Sequence, residues 1–142
     1  MAGHEIREQQ VTHEPCGHIL TNIGVWSPDS QWVVYDVRSD QSGAVFDGTR
    51  IERVNVLTGQ VQRLFESSRG ANCGVVTCSP VSDNVVFIHG PEQPTADWQY
   101  AGHHRRGVIV DAAKPAGAVN VDARDLTGPF TPGALRGGTH VH

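Results

Sequence analysis

The sharpest chemical pattern in the chain is its final triplet, His140-Val141-His142. On a strand, residues i and i+2 share one face, so these two imidazoles can hold one divalent metal such as manganese or zinc. The plainer alternative is a pair of polar residues lining a solvated channel. A second group lies in a turn-rich stretch: Trp98, His103, His104, Arg105 and Arg106. Trp98 and Tyr100 offer aromatic faces beside the Asp97 carboxylate, a combination suited to a sugar or a peptide. Adjacency argues against joint metal ligation by His103 and His104 from a strand. His89 closes a β-branched segment, and Asp36 and Arg38 close another. Arginine presents a rigid fork for carboxylates and carbonyls, so Arg38 has Asp36 or Asp40 as a ready ion-pair partner.

Several enzyme classes lack their motifs here. There is no GxSxG elbow, no Walker A loop, no GxGxxG and no HExxH. Ser27-Pro28-Asp29 begins like a sialidase Asp-box, but the later glycine and the Thr-Trp ending are missing.

The elements that must carry these residues read as short strands. The chain has 19 valines against five leucines and six isoleucines, with 16 glycines and eight prolines. β-branched residues suit a pleated surface, and glycine and proline break helices. Strands are expected at residues 20–26, 32–38, 51–56 and 61–65, separated by turns such as Ser27-Pro28-Asp29-Ser30 and Leu57-Thr58-Gly59-Gln60. The order then recurs. Cys78-Ser79-Pro80 repeats Trp26-Ser27-Pro28 at an offset of 52, and Val85-Val86-Phe87 repeats Val33-Val34-Tyr35. Asn72-Cys73-Gly74-Val75 echoes Asn22-Ile23-Gly24-Val25 two residues out of step. A recurring unit of four strands is the mark of a β-propeller. The expected layout is an arm over residues 1–18, a first blade over 19–68 and a second over 69–125 with an insertion at 90–106. Residues 126–142 would then be a linker and the opening strand of a third blade.

SPDSQWVVYD resembles the blade signature of TolB-type propellers. IERVNVLTGQV, GVVTCSP, VFIHGPE, HHRRGVIV and TPGALRGGTHVH resemble an uncharacterised bacterial propeller family, the YidR-like proteins. Val81 departs from the blade signature, standing where the first blade has Asp29. The resemblance implies an all-β TolB-like fold that continues through further blades, so two blades and one strand would be an incomplete ring. It also raises a rival function. Oligogalacturonate lyases are similar TolB-like propellers with histidines around manganese, and the His140/His142 pair with nearby arginines would suit uronate carboxylates.

Propeller topology places the loop between a blade's second and third strands on the same rim as the blade linkers. Asp36, Arg38, His89, Trp98, His103, His104, Arg105 and Arg106 are therefore expected along one rim. That rim is expected to bind a small molecule or a protein. No cofactor is firmly implied, the divalent metal at His140 and His142 being the candidate.

Composition narrows the partners. A net charge of −4 without a basic stripe disfavours nucleic acid. No apolar run approaches the ~18 residues of a membrane span. The amino-terminal MAGHEIREQQ lacks an apolar signal core, and three unpatterned cysteines suit a reducing compartment, so a cytoplasmic protein is expected. Missing blades would leave sheet flanks open to self-association.

Overall fold

The computed structural model describes residues 6–115, 117–121 and 132. Eight strands run in chain order: β1 (Gly17–Ile19), β2 (Trp32–Arg38), β3 (Arg50–Asn55), β4 (Val61–Glu66), β5 (Cys73–Cys78), β6 (Asn84–His89), β7 (Arg106–Asp111) and β8 (Val119–Asn120). They form two antiparallel four-stranded sheets, ordered β1-β2-β3-β4 and β5-β6-β7-β8. The fold is all-β, and no helix among the described residues is long and apolar enough to cross a membrane.

The sequence repeat is also a hydrogen-bond repeat. Ser27 donates its N–H to the Trp32 carbonyl at 2.9 Å, and 52 residues later Ser79 donates to Asn84 at 2.8 Å. In the first turn Asp29 accepts from the Ser27 hydroxyl at 2.5 Å and from the Gln31 N–H at 3.1 Å. These donors hold its carboxyl below the ordinary range. Val81 cannot accept such bonds, yet the second turn closes through the Ser79 hydroxyl, which takes the Val81 N–H at 3.2 Å. The β3–β4 connection needs Gly59 at φ 72, and the Asn55 side chain accepts the N–H groups of Leu57 and Thr58, each at 3.0 Å.

The first strand differs from expectation. Residues 20–26 do not form a strand. β1 lies earlier, where Gly17 and His18 leave the expected arm to pair with Arg38 and Val37, and Trp26 makes only an isolated bridge to Val33. The intervening segment leaves the first sheet because it bonds to the second. Asn22 donates to the Thr77 hydroxyl at 2.5 Å and the Val75 carbonyl at 3.2 Å, and Cys78 N–H donates to Gly24 at 2.7 Å. Register also corrects the echo at residues 72–75. Cys73 opposes His89 as His18 opposes Val37, so Cys73 is the counterpart of His18 and not of Ile23.

The core lies between the sheets and within the first one. Val34, Ile51, Val76, Phe87 and Val110 are buried in one cluster, and Phe65 of β4 stacks on Phe87 of β6 at 4.9 Å. β5 is kinked where its register shifts between Gly74 and Thr77, and Val75 adopts φ 58 there. A β-branched residue in that region costs about 1–2 kcal/mol. Val75→Asn is therefore expected to change stability by less than about 0.5 kcal/mol or to raise it, because asparagine tolerates this conformation. Val76→Ala, one residue on in the packed core, is expected to cost about 2 kcal/mol. Urea unfolding of both variants checks the contrast.

Candidate functional site

β2 and β6 end, and β1, β3, β5 and β7 begin, at one common edge of the two sheets. The connections spanning residues 39–49, 67–72 and 90–105 therefore share that edge, and the candidate rim residues all lie on or beside it.

Asp36 and Arg38 are buried there. Asp36 Oδ2 accepts Arg38 Nε at 2.7 Å and meets Nη2 at 2.5 Å. Its Oδ1 accepts the Thr21 hydroxyl at 3.0 Å and the Val75 N–H at 3.2 Å. One carboxylate thus joins β2, the segment after β1, and the kink of β5 in the second sheet. It holds the architecture together and is not presented to solvent. Gly74 lies against it, since a Cβ there would come within 2.8 Å of Asp36 Oδ2.

Arg38 carries this anchor outward to the loops. It donates to the Val45 carbonyl at 3.3 Å, and its guanidinium lies 4.3 Å from the centre of the Phe46 ring. Phe46 stacks on Tyr100 at 4.3 Å, and Arg105 donates to the Tyr100 hydroxyl at 3.2 Å. Asn72 in the linker donates to the Phe46 carbonyl at 3.0 Å, and Gly90 donates to Asn72 at 2.8 Å. All three connections are pinned to one another. Within the first, Asp40 accepts from the Ser42 hydroxyl and the Ala44 and Val45 N–H groups, which together lower its pKa to about 2.

Above this base stands a ring cluster. Trp98 and His104 lie 4.0 Å apart between centroids, as do His104 and His103. His104 Nδ1 is 3.0 Å from the Gln99 carbonyl, and Thr95 and Trp98 close the turn by mutual backbone hydrogen bonds. His103 is exposed, while Trp98 and His104 are half-buried. The cluster offers ring faces and imidazole nitrogens to a polar molecule.

His89 lies underneath, buried in the second sheet between Cys73 and Arg106 in register. Its Nε2 is 3.4 Å from Glu92 Oε1, its Nδ1 has no hydrogen-bond partner, and its ring meets Phe65 edge-on at 5.4 Å. Burial pushes its pKa down and the nearby Arg106 adds to the shift, while Glu92 opposes them. His140 and His142 lie outside the described residues. Among the described residues no group of three or more His, Cys, Asp and Glu side chains is arranged to hold a metal ion.

Sequence reasoning missed a second polar group, on the opposite face of the first sheet. The Tyr35 hydroxyl donates to Glu52 at 3.0 Å, Arg50 bonds Glu52 and Glu14, and His18 meets the Tyr35 ring at 4.9 Å. Cys16 Sγ lies 3.7 Å from both His18 Nε2 and Glu14 Oε2. Burial raises the Cys16 pKa and Glu14 raises it further, so this cysteine is held as a thiol. The available signal was register: an antiparallel β2–β3 pair sets Tyr35 opposite Glu52.

Residues 72–142, half of the chain, match the family model described as "Protein of unknown function (DUF3748)". The chain belongs to the DUF3748 family. It is also 55% identical over 134 residues to the "Uncharacterized protein YidR" of Escherichia coli (strain K12), a match covering 94% of this chain and 31% of that relative. The DUF3748 chain thus spans about a third of the length of the curated relative it matches. No solved structure matches it.

Two predictions follow from the geometry of the DUF3748 chain. Asp36→Ala strands the Arg38 charge in the interior and is expected to cost about 3–5 kcal/mol in urea unfolding. The double variant Asp36→Asn/Arg38→Met should recover part of that loss. His89 binds a proton less readily when folded than in the unfolded chain, whose imidazole titrates near about 6.5. Stability is therefore full above that pH and falls as pH drops below it. His89→Gln should flatten this acid-side slope when melting is followed from pH 7.5 to 5.

Proposed function

We propose that the chain is part of a TolB-like β-propeller whose common edge binds a small polar molecule, as a recognition scaffold and not as a catalyst. Stacking of the two sheets at a fixed offset, with the same turn bonds in each, supports the propeller. The observation that carries the binding role is the Trp98–His104–His103 ring cluster. It stands on a connection that Tyr100, Phe46 and Arg38 tie down to the buried Asp36. A pinned aromatic surface loses little conformational freedom on binding. Aromatic faces beside arginine suit an acidic or neutral sugar. The alternative, a manganese-dependent lyase resembling oligogalacturonate lyase, gains nothing from the relative's description, and its His140/His142 pair lies outside the described residues.

The test uses isotope-labelled chain titrated with digalacturonate and, separately, with a neutral disaccharide. Amide shifts are expected to cluster at residues 39–49 and 90–105, and Trp98→Ala should weaken binding at least tenfold. Shifts that map elsewhere, or none with either sugar, overturn the sugar-binding reading.

A further inference from the structure

The polar group on the opposite face of the first sheet is not used by the ring cluster, and it holds a soft ligand pair. Cys16 and His18 stand two residues apart at the start of β1, so their side chains leave the backbone on one side. Gly17 between them is wedged against the 39–49 connection, where a Cβ would come within 2.4 Å of the Asp40 carbonyl. Its pairing with Arg38, and that of His18 with Val37, fix the backbone between the two side chains. Cys16 Sγ then lies 3.7 Å from His18 Nε2. Zinc binds a thiolate at ~2.3 Å and an imidazole nitrogen at ~2.0–2.1 Å, so the two donors of a tetrahedral site lie about 3.5–3.6 Å apart. The pair already spans one edge of such a site.

The surrounding charges suit a cation. Glu14 and Glu52 both act on the sulfur, each opposing a thiolate, and Arg50 favours one. Arg50 is engaged by those same two carboxylates. Charges that resist a bare thiolate favour a metal ion beside it, and a coordinating thiol is deprotonated outright. A divalent ion and the thiolate it creates would bring Glu14, Glu52 and Arg50 to electrical balance. Glu14 Oε2 is also 3.7 Å from the sulfur, but Arg50 holds it, so it acts as a neighbouring charge and the ligand set stays at two. Solvent reaches the sulfur: Cys73 and Cys78 are buried, whereas Cys16 is half-buried and lines a cavity of about 530 Å³ with Ser39, Asp47 and Thr49.

We propose that Cys16 Sγ and His18 Nε2 bind a thiophilic divalent metal ion of the zinc type, with solvent in its remaining positions. The sulfur–metal bond replaces the S–H bond, whose proton passes to water. With its own proton on Nδ1, the His18 ring keeps a lone pair on Nε2 for the metal. The Tyr35 ring, edge-on to His18 at 4.9 Å, steadies that orientation, and Glu52 holds Tyr35 in turn. A thiolate selects zinc over magnesium or calcium, which prefer oxygen. The site is separate from the Trp98–His104–His103 cluster and stands whether or not that cluster binds a sugar.

The test titrates the reduced chain with Co²⁺, a coloured stand-in for zinc, and follows the near-ultraviolet charge-transfer band that only a cobalt–thiolate bond gives. The unaltered chain is expected to develop the band and to lose it when Zn²⁺ is added. Cys16→Ser should abolish the band, and Cys78→Ser should leave it. His18→Phe keeps a ring against Tyr35 but removes the nitrogen, and should weaken cobalt binding at least tenfold. His18→Gln takes its place should the phenylalanine variant fail to give a native β circular dichroism spectrum. No band, a band that survives Cys16→Ser, or cobalt affinity unchanged by the His18 substitution overturns the proposal. Cobalt bound without the band sits on histidines alone and overturns it as well.

Discussion

One buried carboxylate decides how the two sheets meet. Asp36 takes Arg38 on one oxygen, and on the other it takes a hydroxyl from Thr21 and a backbone N–H from Val75. Burying an ion pair is expensive unless hydrogen bonds satisfy the remaining lone pairs, and here both oxygens are satisfied. The surroundings accommodate it at visible cost. Val75 is held at positive φ, which aims its N–H at the carboxylate, and position 74 has no room for a side chain. The segment after β1 gives up its place in the first sheet, Thr21 turning its hydroxyl to the carboxylate and Asn22 reaching across to Thr77 of the second sheet.

The edge loops inherit their order from this centre. Arg38 passes it to Val45 and Phe46, Phe46 to Tyr100 and Asn72, and Tyr100 to Arg105. Connections that would otherwise be the most mobile parts of a β protein are tied to its most buried charge. The ring cluster of Trp98, His103 and His104 therefore sits on a support reaching back into the interior. The neutral, buried His89 belongs to the same edge but works from below, as part of the packing against Phe65.

Much of this was legible beforehand because it is local. Val33, Val34 and Tyr35 read as a strand from their side chains alone, and SPDS reads as a turn because Asp29 and Ser27 satisfy backbone groups within five residues. The repeat was legible because equal turns and strands recur at equal spacing. The roles of the polar residues were less so. Asp36 could be read as pairing with Arg38, two residues away, but its other partners lie 15 and 39 residues distant. His89 lies at the expected edge, but its burial was not legible, because sequence carries no measure of burial. The Tyr35–Glu52 and His18–Tyr35 contacts needed the β2–β3 and β1–β2 registers.

By itself, then, the sequence determined the all-β class, most strand positions, the turns and the twofold repetition. These follow from side-chain branching, glycine and proline placement, and short-range hydrogen bonds. Only the tertiary structure decided which face of each strand turns inward, which charges are buried, and where the first strand begins. Period-two alternation leaves the two faces of a strand equivalent until a second sheet packs against one of them. A polar group finds a distant partner only once that packing is in place.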